Sequence, residues 1–144
     1  MAKNLYTFMT KEQLLLELQQ DTYVALQPSG IHGIGVYAVK DIPKGCTKMF
    51  STGVGEWLTV PRHEVDLLPK HSKDMVENFC LYDEENYFIP DYGFKLMDLV
   101  VYLNHSATPN IVSINEGETF EATRHIKAGE ELFVDYGEIV DSEE

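Results

Sequence analysis

Hydrophobic residues near the N-terminus recur with helical spacing. Thr10 and Gln13 stand at the spacing of a capping box, and Leu14, Leu15 and Leu18 then share one helical face. The pattern predicts an amphipathic helix at the start of the chain. We assign it to an N-terminal helical extension over residues 1–22.

Beyond residue 22 the pattern changes to short apolar runs separated by glycine, proline and other turn residues, which is typical of strands and tight connections. The sequence therefore predicts a mainly β fold. The runs predicted as strands are Tyr23–Gln27, Gly35–Val39, Cys46–Phe50, Phe79–Tyr82, Tyr87–Ile89, Ile111–Ile114, Thr119–Ala122 and Leu132–Tyr136.

Two segments have a different pattern. Ser72–Phe79 places its apolar residues on one face and predicts a short helix, whereas the apolar run Leu96–Leu103 leaves helix and strand open. Two turns also echo each other, since Ile42–Gly45 and Ile126–Gly129 both set isoleucine three residues before glycine. Two instances do not define a repeat protein.

Composition limits the classes of partner. The 144 residues include 11 Lys and Arg against 24 Asp and Glu, a net charge of −13, which argues against direct nucleic-acid binding. A hydrophobic fraction of 44% is enough for one packed domain. Cys46 and Cys80 are too few for a disulfide framework, and no spacing predicts a metal site. The sequence shows no signal peptide and no apolar run of about 18 residues, so we expect a cytoplasmic protein without membrane contact, or a nuclear one in a eukaryote.

A glycine motif, Gly33-Ile34-Gly35, is followed by Ala38 and so has the form of a dinucleotide fingerprint. That fingerprint needs a helix to open on the glycines, but Val36 and Tyr37 favour a strand and Pro43 comes too soon for a helix. Two interpretations remain open. The glycines either form a hairpin turn, or they let the backbone approach a ligand because they lack Cβ atoms.

Two polar motifs come later in the chain. Asn104-His105-Ser106, with Pro109-Asn110, directly follows an apolar run, and Glu131–Tyr136 ends a predicted strand with Asp-Tyr. Alone, the first is more often a capped turn and the tyrosine more often a core residue.

In their order along the chain, these three motifs resemble the SET-domain family of protein lysine methyltransferases. The resemblance covers about residues 23–137, which we predict as a SET domain followed by an acidic tail over residues 138–144. It implies small β-sheets, short helices and a C-terminal pseudoknot in which the Asn-His segment and the C-terminal segment interlock.

The resemblance also implies an activity. The protein would transfer a methyl group from S-adenosylmethionine to a lysine side chain of a protein or peptide substrate, with Tyr136 as the catalytic residue. The cofactor would be bound by six residues: Gly33, Ile34, Gly35, Asn104, His105 and Tyr136. The neutral lysine nitrogen would attack the methyl group in line, and Tyr136 would align that nitrogen rather than take its proton.

Several positions depart from the family pattern. Ile34 stands where many members have an aromatic residue, and Gly53 where we align a channel tyrosine. Ala107 replaces a cysteine that joins a zinc-binding extension in many members, and we expect that extension to be absent. A cover for the site would then come from the N-terminal helix, a second subunit in a homodimer, or the substrate. The alternative function is a catalytically weak or inactive SET-like module that binds a partner or the cofactor.

The middle of the chain offers further candidates. Tyr82, Tyr87 and Tyr102 would lie near the cofactor or, alternatively, pack in the core. Acidic residues would attract a basic, lysine-bearing segment or simply face solvent; they are Asp83, Glu84, Glu85, Asp141, Glu143 and Glu144.

Overall fold

Short strands and short helices alternate along the part of the chain that the computed structural model describes, residues 9–51, 56–96 and 98–140. The helices are α1 (Lys11–Gln20), α2 (Arg62–Asp66), α3 (Lys70–Phe79) and α4 (Tyr136–Val140), with a 3₁₀ helix at Leu99–Tyr102. The strands are β1 (Val24–Pro28), β2 (Ile34–Ala38), β3 (Trp57–Pro61), β4 (Leu81–Tyr82), β5 (Asn86–Pro90), β6 (Asn104–His105), β7 (Ile111–Ile114), β8 (Thr119–Ala122) and β9 (Glu131–Val134).

The strands form three small sheets, which confirms the predicted mainly β fold. The first has the order β1-β2-β9-β6, the second β3-β5-β4, and the third is the β7-β8 hairpin. Within the first sheet β9 pairs antiparallel with β2 and parallel with β6. The segment near the C-terminus therefore lies between two segments that are far from it in sequence.

The main core forms where the two similar turns, Ile42–Gly45 and Ile126–Gly129, meet. The backbones of Ile42 and Ile126 exchange two hydrogen bonds of 2.8 Å, and both side chains are fully buried. They pack in one cluster with Val36, Leu132 and Ile139. The core thus includes α4, beyond Gly137, where the predicted domain ends.

A second, smaller core lies beneath the β3-β5-β4 sheet. Val65 of α2 and Val76 of α3 pack there with Cys80 and Tyr87. Burial raises the pKa of the Cys80 thiol to about 12, so this cysteine stays protonated and unreactive at neutral pH.

The predicted strand at Cys46–Phe50 is wrong. Gly45 donates to the carbonyl of Ala122 and Ala122 donates to that of Cys46, but the ladder does not continue. Met49 is nevertheless buried, and the ring of Phe50 meets Phe120 edge to face at 6.0 Å. The apolar run indicated burial here, not an extended backbone.

The predicted strand over Leu132–Tyr136 is too long. It ends at Val134, and α4 begins at Tyr136, because Asp135 accepts hydrogen bonds from Gly137 through its side chain and from Glu138 through its carbonyl. The apolar run at Leu96–Leu103, for which the sequence left helix and strand open, contains one 3₁₀ turn, and the side chain of Asp98 caps the amide of Val100.

The other helix predictions are confirmed. The Ser72–Phe79 helix begins at Lys70, just after Pro69. The capping box of Thr10 and Gln13 is present, with backbone-to-side-chain hydrogen bonds of 3.1 and 2.9 Å. However, α1 has no buried residue, so its leucines stay exposed.

We predict that replacing Ile126 with alanine lowers the free energy of unfolding by about 2–5 kcal/mol, because it leaves a cavity at the centre of the main core. Denaturant unfolding followed by circular dichroism measures this change. The matched control is Ile31→Ala, which removes the same atoms from a side chain that is 70% exposed. Equal effects of the two substitutions would contradict this description of the core.

Candidate active site

The site is assembled by the parallel pairing of β6 with β9. Asn104 lies opposite Phe133 and His105 opposite Val134. Beyond β6, Asn110 holds the same strand: its side-chain amide donates to the carbonyl of Glu131 at 3.0 Å, and its side-chain oxygen accepts from the amide of Phe133 at 2.8 Å. The Asn-His segment and the C-terminal segment interlock, as predicted.

Asn104 connects these segments to the glycine motif. Its side chain is 7% exposed, and its Nδ2 donates to Glu131 Oε2 at 2.8 Å and to the carbonyl oxygen of His32 at 3.0 Å. The carbonyl oxygen of Ile34 lies 3.4 Å from the same nitrogen. Three surrounding acceptors fix the orientation of the amide, since the flipped form would set oxygen against oxygen. Only the side-chain carbonyl is left to accept a hydrogen bond from a ligand.

Glu131 is the residue that the sequence analysis missed as part of the site. Besides Asn104, its carboxylate accepts hydrogen bonds from the hydroxyls of Ser29, at 2.9 Å, and Tyr37, at 3.1 Å. It therefore joins the turn before β2, β2 itself and β6. A glycine inside a strand, Gly35, was the available signal, because such a glycine often marks the close approach of another group.

The three residues of the glycine motif serve different purposes. A Cβ atom on Gly35 would lie 2.2 Å from Glu131 Oε2 and 3.2 Å from Asn104 Nδ2, so the space above Gly35 is filled by protein. The absence of a Cβ at Gly35 therefore makes room for Glu131, and cofactor contact by Gly35 stays a prediction. Gly33 has φ +53° and open space around it, and Ile34 is 50% exposed. These two residues are accessible to a ligand.

His105 and Tyr136 lie side by side at the end of the paired strands. Their ring centroids are 5.1 Å apart, and the backbone amide of Tyr136 donates to His105 Nδ1 at 3.1 Å. Since Nδ1 accepts this bond, Nε2 is the ring nitrogen that carries a proton. Asp135 Oδ1 lies 3.8 Å from Nδ1.

The hydroxyl of Tyr136 is held by the backbone. It donates to the carbonyl oxygen of Leu103 at 2.6 Å, while the residue as a whole is 39% exposed. Burial of the hydroxyl end raises the pKa of Tyr136 above its usual value. The phenol is therefore a fixed neutral donor whose oxygen lone pairs can still accept a hydrogen bond.

The three candidate tyrosines of the middle region lie in different environments. Tyr87 is buried in the smaller core, which confirms the core interpretation, and Tyr102 is partly buried with its ring edge to face with Phe79. Tyr82 is exposed, its ring lies 5.6 Å from that of Tyr87, and the guanidinium of Arg62 lies over both rings. Asp83 accepts from two backbone amides of its own turn, so it has a structural use.

Some expectations fall on other parts of the chain. Gly53 and the acidic residues Asp141, Glu143 and Glu144 lie outside the described residues.

Within the described ranges, no group of three or more His, Cys, Asp or Glu side chains is arranged to hold a metal ion. None of the helices in those ranges is long and apolar enough to cross a membrane. Two cavities, of about 490 and 620 Å³, are lined by other residues than the predicted site residues.

Comparison with known proteins agrees with this architecture. The family model of the SET domain matches residues 33–137. An apo ctPRC2 structure with two substitutions in Ezh2 has 24% identity and a TM-score of 0.57, covering 92% of this chain and 18% of that chain. A humanized mutant of the Chaetomium thermophilum Polycomb Repressive Complex 2, bound to an inhibitor, has 25% identity and a TM-score of 0.54, covering 88% and 16%. Curated protein sequences gave no match.

The fold and the interlocked motifs are those of a SET domain. Because the family model covers well over half of the residues, the chain belongs to the SET-domain family. The chain spans less than a fifth of the length of the two solved chains described above, so the likeness to them concerns this domain.

We predict that Gly35→Ala destabilises the protein by about 1–3 kcal/mol, because the new methyl group displaces the Glu131 carboxylate from Asn104. Thermal or denaturant unfolding measures the loss. Gly30→Ala is the matched control, since a Cβ there meets nothing within 4 Å. If both variants unfold alike, the contact between Gly35 and Glu131 does not constrain the site.

A second prediction concerns alkaline pH. Because the pKa of Tyr136 is raised in the folded state, the unfolded chain loses this proton first, and the stabilisation is lost as pH rises from about 10 through the folded pKa. We expect unfolding free energy to fall more steeply above pH 10 in the wild type than in Tyr136→Phe. Parallel curves would contradict the buried, neutral phenol.

Proposed function

We propose that this protein is an S-adenosylmethionine-dependent methyltransferase that acts on a lysine side chain of a protein substrate. The observation that carries the proposal is the convergence, in a chain of the SET-domain family, of the glycine motif, the Asn104-His105 pair and Tyr136. One amide side chain and one strand pairing join all three segments.

The residues present fit the cofactor. Gly33 is open, Ile34 presents an exposed apolar side chain, and Asn104 keeps a free acceptor oxygen that suits an amino group. His105 offers a proton on Nε2 beside the ring of Tyr136. When bound, S-adenosylmethionine supplies an electrophilic methyl group on a positively charged sulfur.

Tyr136 orients the substrate nitrogen. Its proton is committed to the carbonyl of Leu103, and its raised pKa keeps that proton in place at neutral pH. The hydroxyl oxygen can therefore accept an N–H bond from a neutral lysine amine and turn the nitrogen lone pair away from itself. Tyr136 does not act as a general base in this scheme, because a phenol held in its neutral form has no vacant site for a proton.

Loss of the lysine proton precedes attack, since a free lysine amine has a pKa of about 10.4. Partial burial of the amine beside Tyr136 favours the neutral form, because desolvation disfavours charge. The chain's net charge of −13 draws cationic substrates toward the protein before this step.

The site as described is open, which bears on its partners. Ile34 and Tyr136 are both substantially exposed, and the leucines of α1 have no buried contact. We propose that α1, a second copy of the chain or the substrate covers the site. The homodimer stays a prediction, which sedimentation at several protein concentrations would test.

A non-catalytic SET module is the second candidate function. The observation in its favour is that the amide donors of Asn104 and the space above Gly35 are used within the protein, so the interlock needs no ligand to hold it. Cofactor binding without methyl transfer to any substrate would establish this function.

The first test is calorimetric titration with S-adenosylmethionine and with its demethylated product. We expect Asn104→Ala to abolish binding, while Asn78→Ala, on the exposed face of α3, binds like wild type. Unfolding curves of both variants show whether a loss comes from misfolding. Absence of binding to the wild type would overturn the proposed function.

The second test is transfer of a radiolabelled methyl group to core histones and, separately, to an unfractionated protein extract. For Tyr136→Phe we expect retained cofactor binding and a transfer rate lowered by about 10²-fold or more, because the lysine nitrogen is no longer aligned. An unchanged rate would contradict the role given to Tyr136.

A further inference from the structure

A cleft with unusual walls lies between the β3-β5-β4 sheet and the β7-β8 hairpin. Its volume is about 490 Å³. The described residues that line it include four aromatic side chains: Trp57, Phe88, Tyr92 and Phe120. They also include four carboxylates: Glu56, Asp98, Glu116 and Glu118.

The charged side chains that line this cleft are all acidic among the described residues. No lysine, arginine or histidine is among the described residues that line it. Aromatic faces and carboxylates both attract cations, the first through the ring quadrupole and the second through charge. The cleft therefore fits an organic cation that has a flat or apolar body.

The hairpin that forms one wall is built to face the sheet. A Cβ on Gly117 would lie 3.1 Å from Trp57 Nε1, so the indole packs directly on the turn. Asn115 and Glu116 have φ of 55° and 56°, and Ser113 Oγ accepts from the amide of Gly117 at 2.7 Å. These contacts hold the turn against Trp57, and Glu118, which follows the turn, lines the cleft.

We propose that this cleft binds an arginine side chain of the polypeptide substrate, at a position other than the methylated lysine; the assignment of the arginine to a substrate rests on the proposed function. The cleft and the candidate active site share α4. Ile139, which lines it, lies on α4 with Tyr136, and Val100, which also lines it, accepts from the amide of Leu103. The 3₁₀ turn and α4 thus connect the cleft to Tyr136, whose hydroxyl donates to the carbonyl of Leu103.

Arginine fits these walls better than lysine does. The guanidinium is planar, weakly hydrated and able to stack on an aromatic ring while it donates to a carboxylate. An ammonium is a strongly hydrated point charge and loses more on entering a partly apolar cleft. Trp57, Glu56 and Glu118 all line the cleft and together offer both kinds of contact.

The chain's single tryptophan is Trp57, so intrinsic fluorescence reports directly on this cleft. The probes are three acetylated and amidated tripeptides, Gly-X-Gly, with X as arginine, citrulline or lysine. We expect a saturable fluorescence change with arginine, none with its neutral counterpart citrulline, and a dissociation constant for lysine at least about threefold higher. An equal response to citrulline or to lysine would overturn the proposal.

Paired variants assign the effect to the cleft. Glu56→Gln combined with Glu118→Gln is expected to weaken binding of the arginine peptide by about tenfold or more. Glu84→Gln combined with Glu85→Gln removes the same charge from exposed positions outside the cleft and should leave binding unchanged. Equal weakening by both pairs would show attraction by net charge alone and would contradict a specific site.

The outcomes for the cleft and for the proposed function are separable. The tripeptide titrations need neither cofactor nor methyl transfer, so they test the cleft even if S-adenosylmethionine does not bind. Where transfer occurs, lysine substrates with and without a neighbouring arginine test the link, because the Glu56 and Glu118 variants should raise KM and leave kcat unchanged. A lowered kcat with unchanged KM would contradict a binding role.

Discussion

The parallel pairing of β6 with β9 is the interaction on which the site depends. It joins two residues, Asn104 and His105, to a strand that follows them by more than twenty positions. The pairing therefore closes a long loop, which costs conformational entropy, while forming few backbone hydrogen bonds. Buried side chains supply what this short ladder lacks. Asn110 bonds to the backbone of β9 through both ends of its amide, and the fully buried Leu132 anchors the strand in the core.

Glu131 extends the same constraint to the glycine motif. A carboxylate placed above a glycine accepts from a serine, a tyrosine and an asparagine, which together belong to three separate segments. Such a group is held firmly because each of its donors is held by a different element. This network holds β2 and β6 together, and these strands carry the exposed motif residues Ile34 and His105. α4 also connects the core to the aromatic and acidic cleft, because its Ile139 packs in the core and lines the cleft.

The sequence was most informative where a local rule matches the backbone. The capping box at Thr10 and the strand before Pro28-Ser29-Gly30 follow from local chemistry. The three motifs also predicted the interlock, through their resemblance to the SET-domain family. Local rules do not predict which distant segments of the chain pair or pack together. Met49 is buried, and Cys46 and Phe50 are partly buried, without forming a strand, and α4 begins at Tyr136 because Asp135 caps it. Glu131 resembled an ordinary charged strand residue, since nothing nearby in sequence shows that Gly35 lies under it.

We propose that three distant segments form one cofactor site. Amide hydrogen exchange with and without S-adenosylmethionine tests it most directly, because exchange reports on each segment separately. The account predicts slower exchange on binding at 32–35, at 104–106 and at Tyr136 together, with little change on the far face of α3. Slower exchange in only one of these segments, or protection confined to another part of the chain, would contradict it.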